Sequence, residues 1–220
     1  MYEPPPPPLI LHRAPYNALW VGARLGVLFP FGNAYAIDAG PYYEYGESWQ
    51  GLASSGPSLE GDVGVRFARR YILYGFWEHA WLGTGSDPTW RTVGSPPVGA
   101  FGDQKSATTD YAGVGFRWSS RPDYVGLVID LGLGYRWFRE RWNSGTAMDL
   151  QGFGEFRFGF GADIRMTRSF SLSPLIMFSS GSFIDREITF PGYAPAPIQS
   201  LAGSHGTVTL SIGGHFDFAP

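Results

Sequence analysis

The sequence predicts an all-β chain, a transmembrane up-and-down antiparallel β-barrel of eight strands. Three observations predict it. Eight segments alternate apolar and polar residues with period two, the connections between them alternate long and short, and the polar row is built from glycine, arginine and carboxylates. The composition agrees: aromatics are 17% of the 220 residues and charged residues 16%, with 31 glycines and 18 prolines, which excludes a disordered tail and a charged coiled coil. Net charge is -3, and all but one of the sixteen basic residues are arginine, so no lysine-rich face tracks a phosphate backbone and no nucleic-acid partner is expected. The absence of cysteine removes disulfides, thiolate metal sites and cysteine nucleophiles. No run approaches the roughly 18 apolar residues of a spanning helix.

Residues 1–16 form a Pro-rich N-terminal segment, with a polyproline II spacer at residues 4–8, an irregular lead-in from Leu9 to Tyr16 and no leader peptide ahead of them. The barrel is expected over residues 17–218. In the first strand Leu19, Val21, Ala23, Leu25, Val27 and Phe29 oppose Trp20, Gly22, Arg24, Gly26 and Leu28; in the second Leu59, Val63, Val65 and Phe67 oppose Glu60, Asp62, Gly64 and Arg66. The third, Tyr71 to Leu82, is apolar on both sides. Placing Glu78 on its polar side leaves His79 on the apolar row, which a bulge would relieve. The fourth sets Ala112, Val114, Phe116 and Trp118 against Tyr111, Gly113, Gly115 and Arg117, and the fifth sets Leu127 through Trp137 against Asp130, Gly132, Gly134 and Arg136. In the sixth, Phe156, Phe158, Phe160, Ala162 and Ile164 oppose Gln151, Glu155, Arg157, Gly159, Gly161 and Asp163. The seventh sets Phe170, Leu172, Ile176 and Phe178 against Ser171, Ser173 and Met177, and the eighth sets Val208, Leu210, Ile212, Phe216 and Phe218 against Thr207, Thr209, Ser211, Gly213, His215 and Asp217. Long connections are expected at residues 31–57, 83–108, 138–148 and 180–205, with short ones between them, so all long loops fall at one end.

The orientation of the two rows follows from their chemistry. A soluble barrel needs charges spread over its outer surface, and a row dominated by glycine with sparse Arg, Asp and Glu supplies few. Turned inward, the same row fills an eight-stranded lumen, in which glycine makes room for guanidinium groups that pair in two directions and keep their charge. The expected lumen network is Arg24, Glu60, Asp62, Arg66, Glu78, Arg117, Asp130, Arg136, Glu155, Arg157 and Asp163. Facing lipid at the midplane, each arginine would instead cost about 2 to 4 kcal/mol. Aromatics at strand ends on the apolar row, namely Phe29, Phe67, Trp118, Tyr124, Trp137, Phe170, Phe216 and Phe218, read as interfacial girdles.

In architecture, residues 17–218 resemble the small outer-membrane β-barrels of the OmpA, OmpX and OmpW types. The last strand is similar to their carboxy-terminal assembly signal, with Gly213, Phe216 and Phe218 as its glycine and alternating aromatics, although Ala219 and Pro220 follow the final Phe. The resemblance implies the bacterial outer membrane, a removed leader, short periplasmic turns, long extracellular loops, a periplasmic N-terminal segment and recognition by the outer-membrane insertion machinery. It also implies contact with outer-membrane lipid and lipopolysaccharide.

Other chemistry finds little support. His12, His79, His205 and His215 lack ligand spacing, so neither a metal nor a cofactor is expected. Ser204-His205 lies near the outer end of the last strand, but the His-x-Ser-Asn arrangement of outer-membrane deacylases is absent, so a lipid A or phospholipid hydrolase ranks last and no catalytic residue is assigned. Tyr43, Trp49, Trp90, Phe101, Phe190 and Tyr193 in the long loops are candidate contacts for a protein partner. The leading expectation is a barrel with a closed, ion-paired lumen serving a structural or surface-interaction role. The alternative is a narrow OmpW-like transporter of small solutes.

Overall fold

The computed structural model describes residues 13–38, 44–85, 103–197 and 201–219. Eight strands make the barrel: β1 (Ala18–Asp38), β2 (Gly56–Phe67), β3 (Tyr71–Thr84), β4 (Gln104–Ser119), β5 (Val125–Trp142), β6 (Ala147–Arg165), β7 (Phe170–Ser182) and β8 (Ser204–Phe218). Each pairs antiparallel with its neighbours in sequence, and β8 returns to pair with β1, so the barrel sheet has no open edge along these ladders. Following paired residues around the wall leads from Val21 through Val63, Gly75, Val114, Leu133, Phe156, Ser180 and Gly206 to Phe31. The circuit closes ten residues beyond its start, an even stagger that lets one face of every strand point inward.

Alternation then sorts the side chains. The outer wall carries Leu19, Leu25, Val63, Leu73, Val114, Leu127, Phe158 and Ile212, all exposed, while the inner wall carries the arginines and carboxylates. Every aromatic expected in the girdles lies on the outer side, joined by Trp77 and Trp81, which sequence reading passed over. Glycines answer large neighbours inside. Tyr74 pairs with Gly64 on one side and Gly115 on the other, and a Cβ at either position would overlap it. Met177 covers Gly159, and Tyr111 covers Gly134, in the same way.

Pairing shifts register at Asn33/Tyr35 and Gln104/Ser106 near the loop end and once within the barrel wall, and none of these places is His79. Pairing is continuous through His79, which stays on the outer wall. The bulge lies in β6, where Gly134 pairs with Glu155 and Tyr135 with Phe153, leaving Gly154 as the extra residue at φ 79, a conformation that glycine adopts without strain. As a result Gln151 faces outward, not inward with Glu155 as the alternation predicted.

The loop end is more ordered than the sequence pattern implied. The expected long connection at 138–148 is a four-residue turn at 143–146, because β5 continues to Trp142 and β6 starts at Ala147. The first connection extends β1 and returns as Glu44–Ser48, then forms the short helix α1 (Trp49–Leu52), whose Gly51 N–H donates to Ser48 Oγ at 2.9 Å. The fourth continues the sheet as Asp185–Thr189 beside β6. At the turn end, Ala14 and Pro15 are buried and Ala14 N–H donates to Asp123 Oδ1 at 2.7 Å, so ordered packing starts ahead of the expected boundary at Asn17. Residues 1–12, with their proline run, lie outside the described residues.

Gly115→Val is expected to lower unfolding stability in detergent by about 1 to 3 kcal/mol through overlap with the Tyr74 ring. Gly61→Val, on the open outer wall where an added Cβ meets nothing within 4 Å, serves as the control and should leave the unfolding midpoint in place.

Candidate functional site

The inward row of the eight strands stacks buried charge in three tiers below an apolar cap. The tier nearest the loop end centres on Glu155. Arg136 Nε donates to its two oxygens at 2.6 and 2.7 Å, Ser179 Oγ donates at 2.5 Å, and His205 Nε2 lies 3.3 Å away. The Arg136 guanidinium also rests 4.5 Å from the Tyr111 ring centre and 5.7 Å from that of Trp49. Alternation with Arg157 and Gly159 puts Glu155 here, and the extra residue at Gly154 resets the phase above it, so that Gly152 and Leu150 face inward in place of Phe153 and Gln151.

The middle tier is a chain of alternating signs. Arg24 pairs with Asp62 and, at 2.9 Å, with Glu60; Glu60 accepts from Arg157 at 2.9 Å; Arg157 donates to Tyr74 Oη at 2.8 Å; Tyr74 donates to Asp130 Oδ1 at 2.5 Å; and Asp130 accepts from Arg117 Nε at 2.8 Å. Arg157 lies over Phe76 at 3.7 Å and Arg117 over Trp20 at 5.2 Å, so aromatic faces close the sides that carboxylates leave open. The third tier, at the turn end, joins Arg66 Nε and Arg165 Nη1 to the two oxygens of Asp217 at 2.7 and 2.6 Å. Asp163 accepts from Ser173 at 2.9 Å and faces His215 Nε2 at 3.7 Å.

Every residue assigned to the lumen from sequence is buried inside the barrel, but they do not all pair as expected. Glu78 has no ion pair within 4 Å among the described residues and accepts from Thr209 Oγ1 at 3.4 Å; it sits where no guanidinium on a neighbouring strand points at it. Asp163 is served by a hydroxyl and a histidine rather than an arginine within ion-pair distance. Arg165 and Asp217 are full members that sequence reading left out. Asp217 was visible on the polar row, whereas Arg165 follows Ile164, the last residue named on the sixth strand.

The cap above the tiers gathers Trp49, Leu52, Phe138, Phe183, Leu150, Met148, Trp142, Leu28 and Leu82. Trp49 was expected on an exposed loop; it is instead fully buried, edge-on to Phe138, Phe183 and His205 at 5.0 to 5.9 Å. Gln104 fixes α1 in place by donating to Leu52 O and to Glu140 Oε1, both at 2.8 Å. Phe190 is half-buried against this cap, and Tyr193 is 76% exposed. Tyr43, Trp90 and Phe101 lie outside the described residues. In the last strand Phe216 and Phe218 are on the outer wall, while Gly213 is packed against Arg24. Ser204 and His205 are split by alternation: Ser204 is exposed, and His205 is buried against Glu155 and Phe183, which separates the pair considered for lipid hydrolysis. No group of three or more His, Cys, Asp or Glu suited to a metal occurs among the described residues.

Neither a known family's sequence profile nor any curated protein matches the chain. Solved structures do. The outer membrane protein OprG from Pseudomonas aeruginosa superposes with a TM-score of 0.57 at 10% identity, covering 96% of this chain and all of that one. Neisserial surface protein A gives 0.53 at 11% identity over 92% of this chain and 99% of its own. The outer membrane protein AlkL, solved by solid-state NMR in lipid bilayers, gives 0.53 at 13% identity over 100% of this chain and 99% of its own. At these identities the likeness is one of fold: the chain is a closed eight-stranded β-barrel with the architecture of small outer-membrane barrels.

Proposed function

We propose that the chain is an outer-membrane barrel with a sealed, ion-paired interior, serving a structural or surface-interaction role at its loop end. The observation that carries this reading is the outer wall. On β5, Val125, Leu127, Ile129, Leu131, Leu133 and Tyr135 form an unbroken apolar row. At about 3.3 Å per residue and a tilt of about 40°, that row crosses about 25 Å, the height of the lipid-facing band of such barrels. The same wall is apolar on β1, β2, β7 and β8, a surface far larger than soluble proteins leave to water.

The interior supports the sealed half of the reading. A solute would have to part the Glu155–Arg136 tier and displace Trp49 with α1, which Gln104 and the surrounding aromatics hold. On this reading residues 1–16 lie on the periplasmic side, and the Gly213, Phe216 and Phe218 strand is what the insertion machinery engages. The loops beyond the bilayer, Tyr193 among them, are the surface for a protein partner. Neighbours of the same fold carry no enzyme name, and Ser204 with His205 offers no exposed dyad, so catalysis is not part of the proposal.

In planar bilayers the refolded chain is expected to pass no resolved current. A steady conductance would replace the sealed barrel by the narrow transporter. Arg136→Met should lower unfolding stability in detergent by about 3 to 5 kcal/mol, because Glu155 loses its closest cation while staying buried. Arg136→Met combined with Glu155→Met should recover part of that loss, and Tyr193→Ala should stay within about 0.5 kcal/mol of the parent. Equal midpoints for Arg136→Met and Tyr193→Ala would count against a structural role for the tiers.

A further inference from the structure

The outer wall is not uniform around its circumference. Along β1, β2, β7 and β8 its described residues carry no charge, whereas at the loop-side edge of the apolar band β3 to β6 place His79, Asp110, Arg139, Arg141 and Asp149 side by side. His79 Nδ1 is 2.8 Å from Asp110 Oδ1, and its ring stacks with Trp77 at 5.8 Å and meets Trp81 edge-on at 4.4 Å. Arg141 is anchored, donating to Asp149 Oδ1 and Glu140 O at 3.1 Å.

Arg139 differs from every arginine inside the barrel. Its side chain is 51% exposed, its nearest carboxylate oxygens lie at 3.7 Å on Asp110 and 4.0 Å on Asp149, and no protein acceptor within hydrogen-bond distance meets its guanidinium among the described residues. The two carboxylates set the direction of the planar group without satisfying its donors. A guanidinium so placed binds a phosphate oxygen pair in two-pronged fashion. Trp77, Trp81 and Trp137 lie beside and below it on the same wall, at the depth where indole rings favour the boundary between headgroup and chain.

We propose that this sector of β3 to β6 binds the phosphate-bearing headgroup of a single lipid, with Arg139 as the principal contact and the tryptophans against the headgroup's apolar side. The site deepens the outer-membrane reading and rests on it. Because Arg139 and Arg141 face Asp110 and Asp149, with Glu187 paired beside Asp149, recognition depends on the geometry of unmet donors and not on net charge, so moderate salt weakens it less than it weakens a polybasic patch.

The test uses the full chain in detergent, with native mass spectrometry of the barrel after addition of lipid A bearing two phosphates or of the same lipid enzymatically dephosphorylated. Expected are one retained phosphorylated lipid per barrel, a reduction of about tenfold in Arg139→Gln, partial retention in Arg139→Lys, and no change in Arg121→Gln at the exposed opposite end. An unchanged unfolding midpoint in Arg139→Gln shows that the barrel is intact. Equal retention by Arg139→Gln and the parent, or equal retention of the dephosphorylated lipid, overturns the site. Displacement by equimolar inorganic phosphate shows an anion site without lipid specificity and also overturns it. Flotation of the chain with phosphatidylcholine vesicles reads the membrane proposal separately: a chain that floats but shows no Arg139-dependent lipid retention loses this site alone.

Discussion

An eight-stranded barrel is barely wider inside than the side chains that line it, so charges placed there have only one another for solvent. Most of the chain's chemistry follows from that constraint. Arginine displaces lysine because its fork reaches two acceptors at once, as Arg24 does with Glu60 and Asp62 and Arg157 does with Glu60 and Tyr74. Glycine recurs opposite the large residues because the space beside Tyr74, Tyr111 and Met177 is already taken. Aromatic faces then cover guanidinium surface that no oxygen reaches, as Phe76 covers Arg157 and Trp20 covers Arg117.

Period-two alternation made the fold legible because every barrel strand has one wall of hydrocarbon type and one of charge. It also placed the buried charges on the correct side, including Glu78 on a strand apolar on both faces. What it could not convey is a change of phase within a strand. Phe153-Gly154-Glu155 looks continuous when residues are read two by two, and only the backbone conformation of Gly154 reveals that parity is reset there. The reach of the strands was legible in part: Asn143-Ser144-Gly145 is a turn composition, yet the polar residues around it read as a long loop. Trp49 was invisible as a cap residue because loop composition carries no direction. The one local hint was Ser48, a helix-capping type, just ahead of it. Arg139 and Arg141 were absorbed into that same apparent loop, so the charged sector of the outer wall was hidden with them.

The two ends of the barrel are finished differently. At the loop end an apolar plug built from β1, β5, β6 and the segments above them covers the first charged tier, and the helix that carries Trp49 is pinned by a side chain from β4. At the turn end closure is ionic, and the buried lead-in residues Ala14 and Pro15 are held at this end by the bond from Ala14 N–H to Asp123. A surface role would therefore be carried by what lies above the plug, on a base that side chains from several strands hold rigid.

The pairing of Asp217 has a consequence for how the cylinder is sealed. This carboxylate stands one residue from the end of the final strand, yet it grips Arg66 on β2 and Arg165 on β6, so it joins strands on both sides of the β8–β1 seam. The grip on Arg66 exists only once the first strands and the last have met, whereas the grip on Arg165 needs only the run from β6 to β8. The latch on Arg66 is thus a product of completion, set only by a correctly registered ring. Prising the seam apart from the turn end must strip the Arg66 guanidinium from a buried anion that Arg165 still holds in place before the first few rungs of the ladder come free.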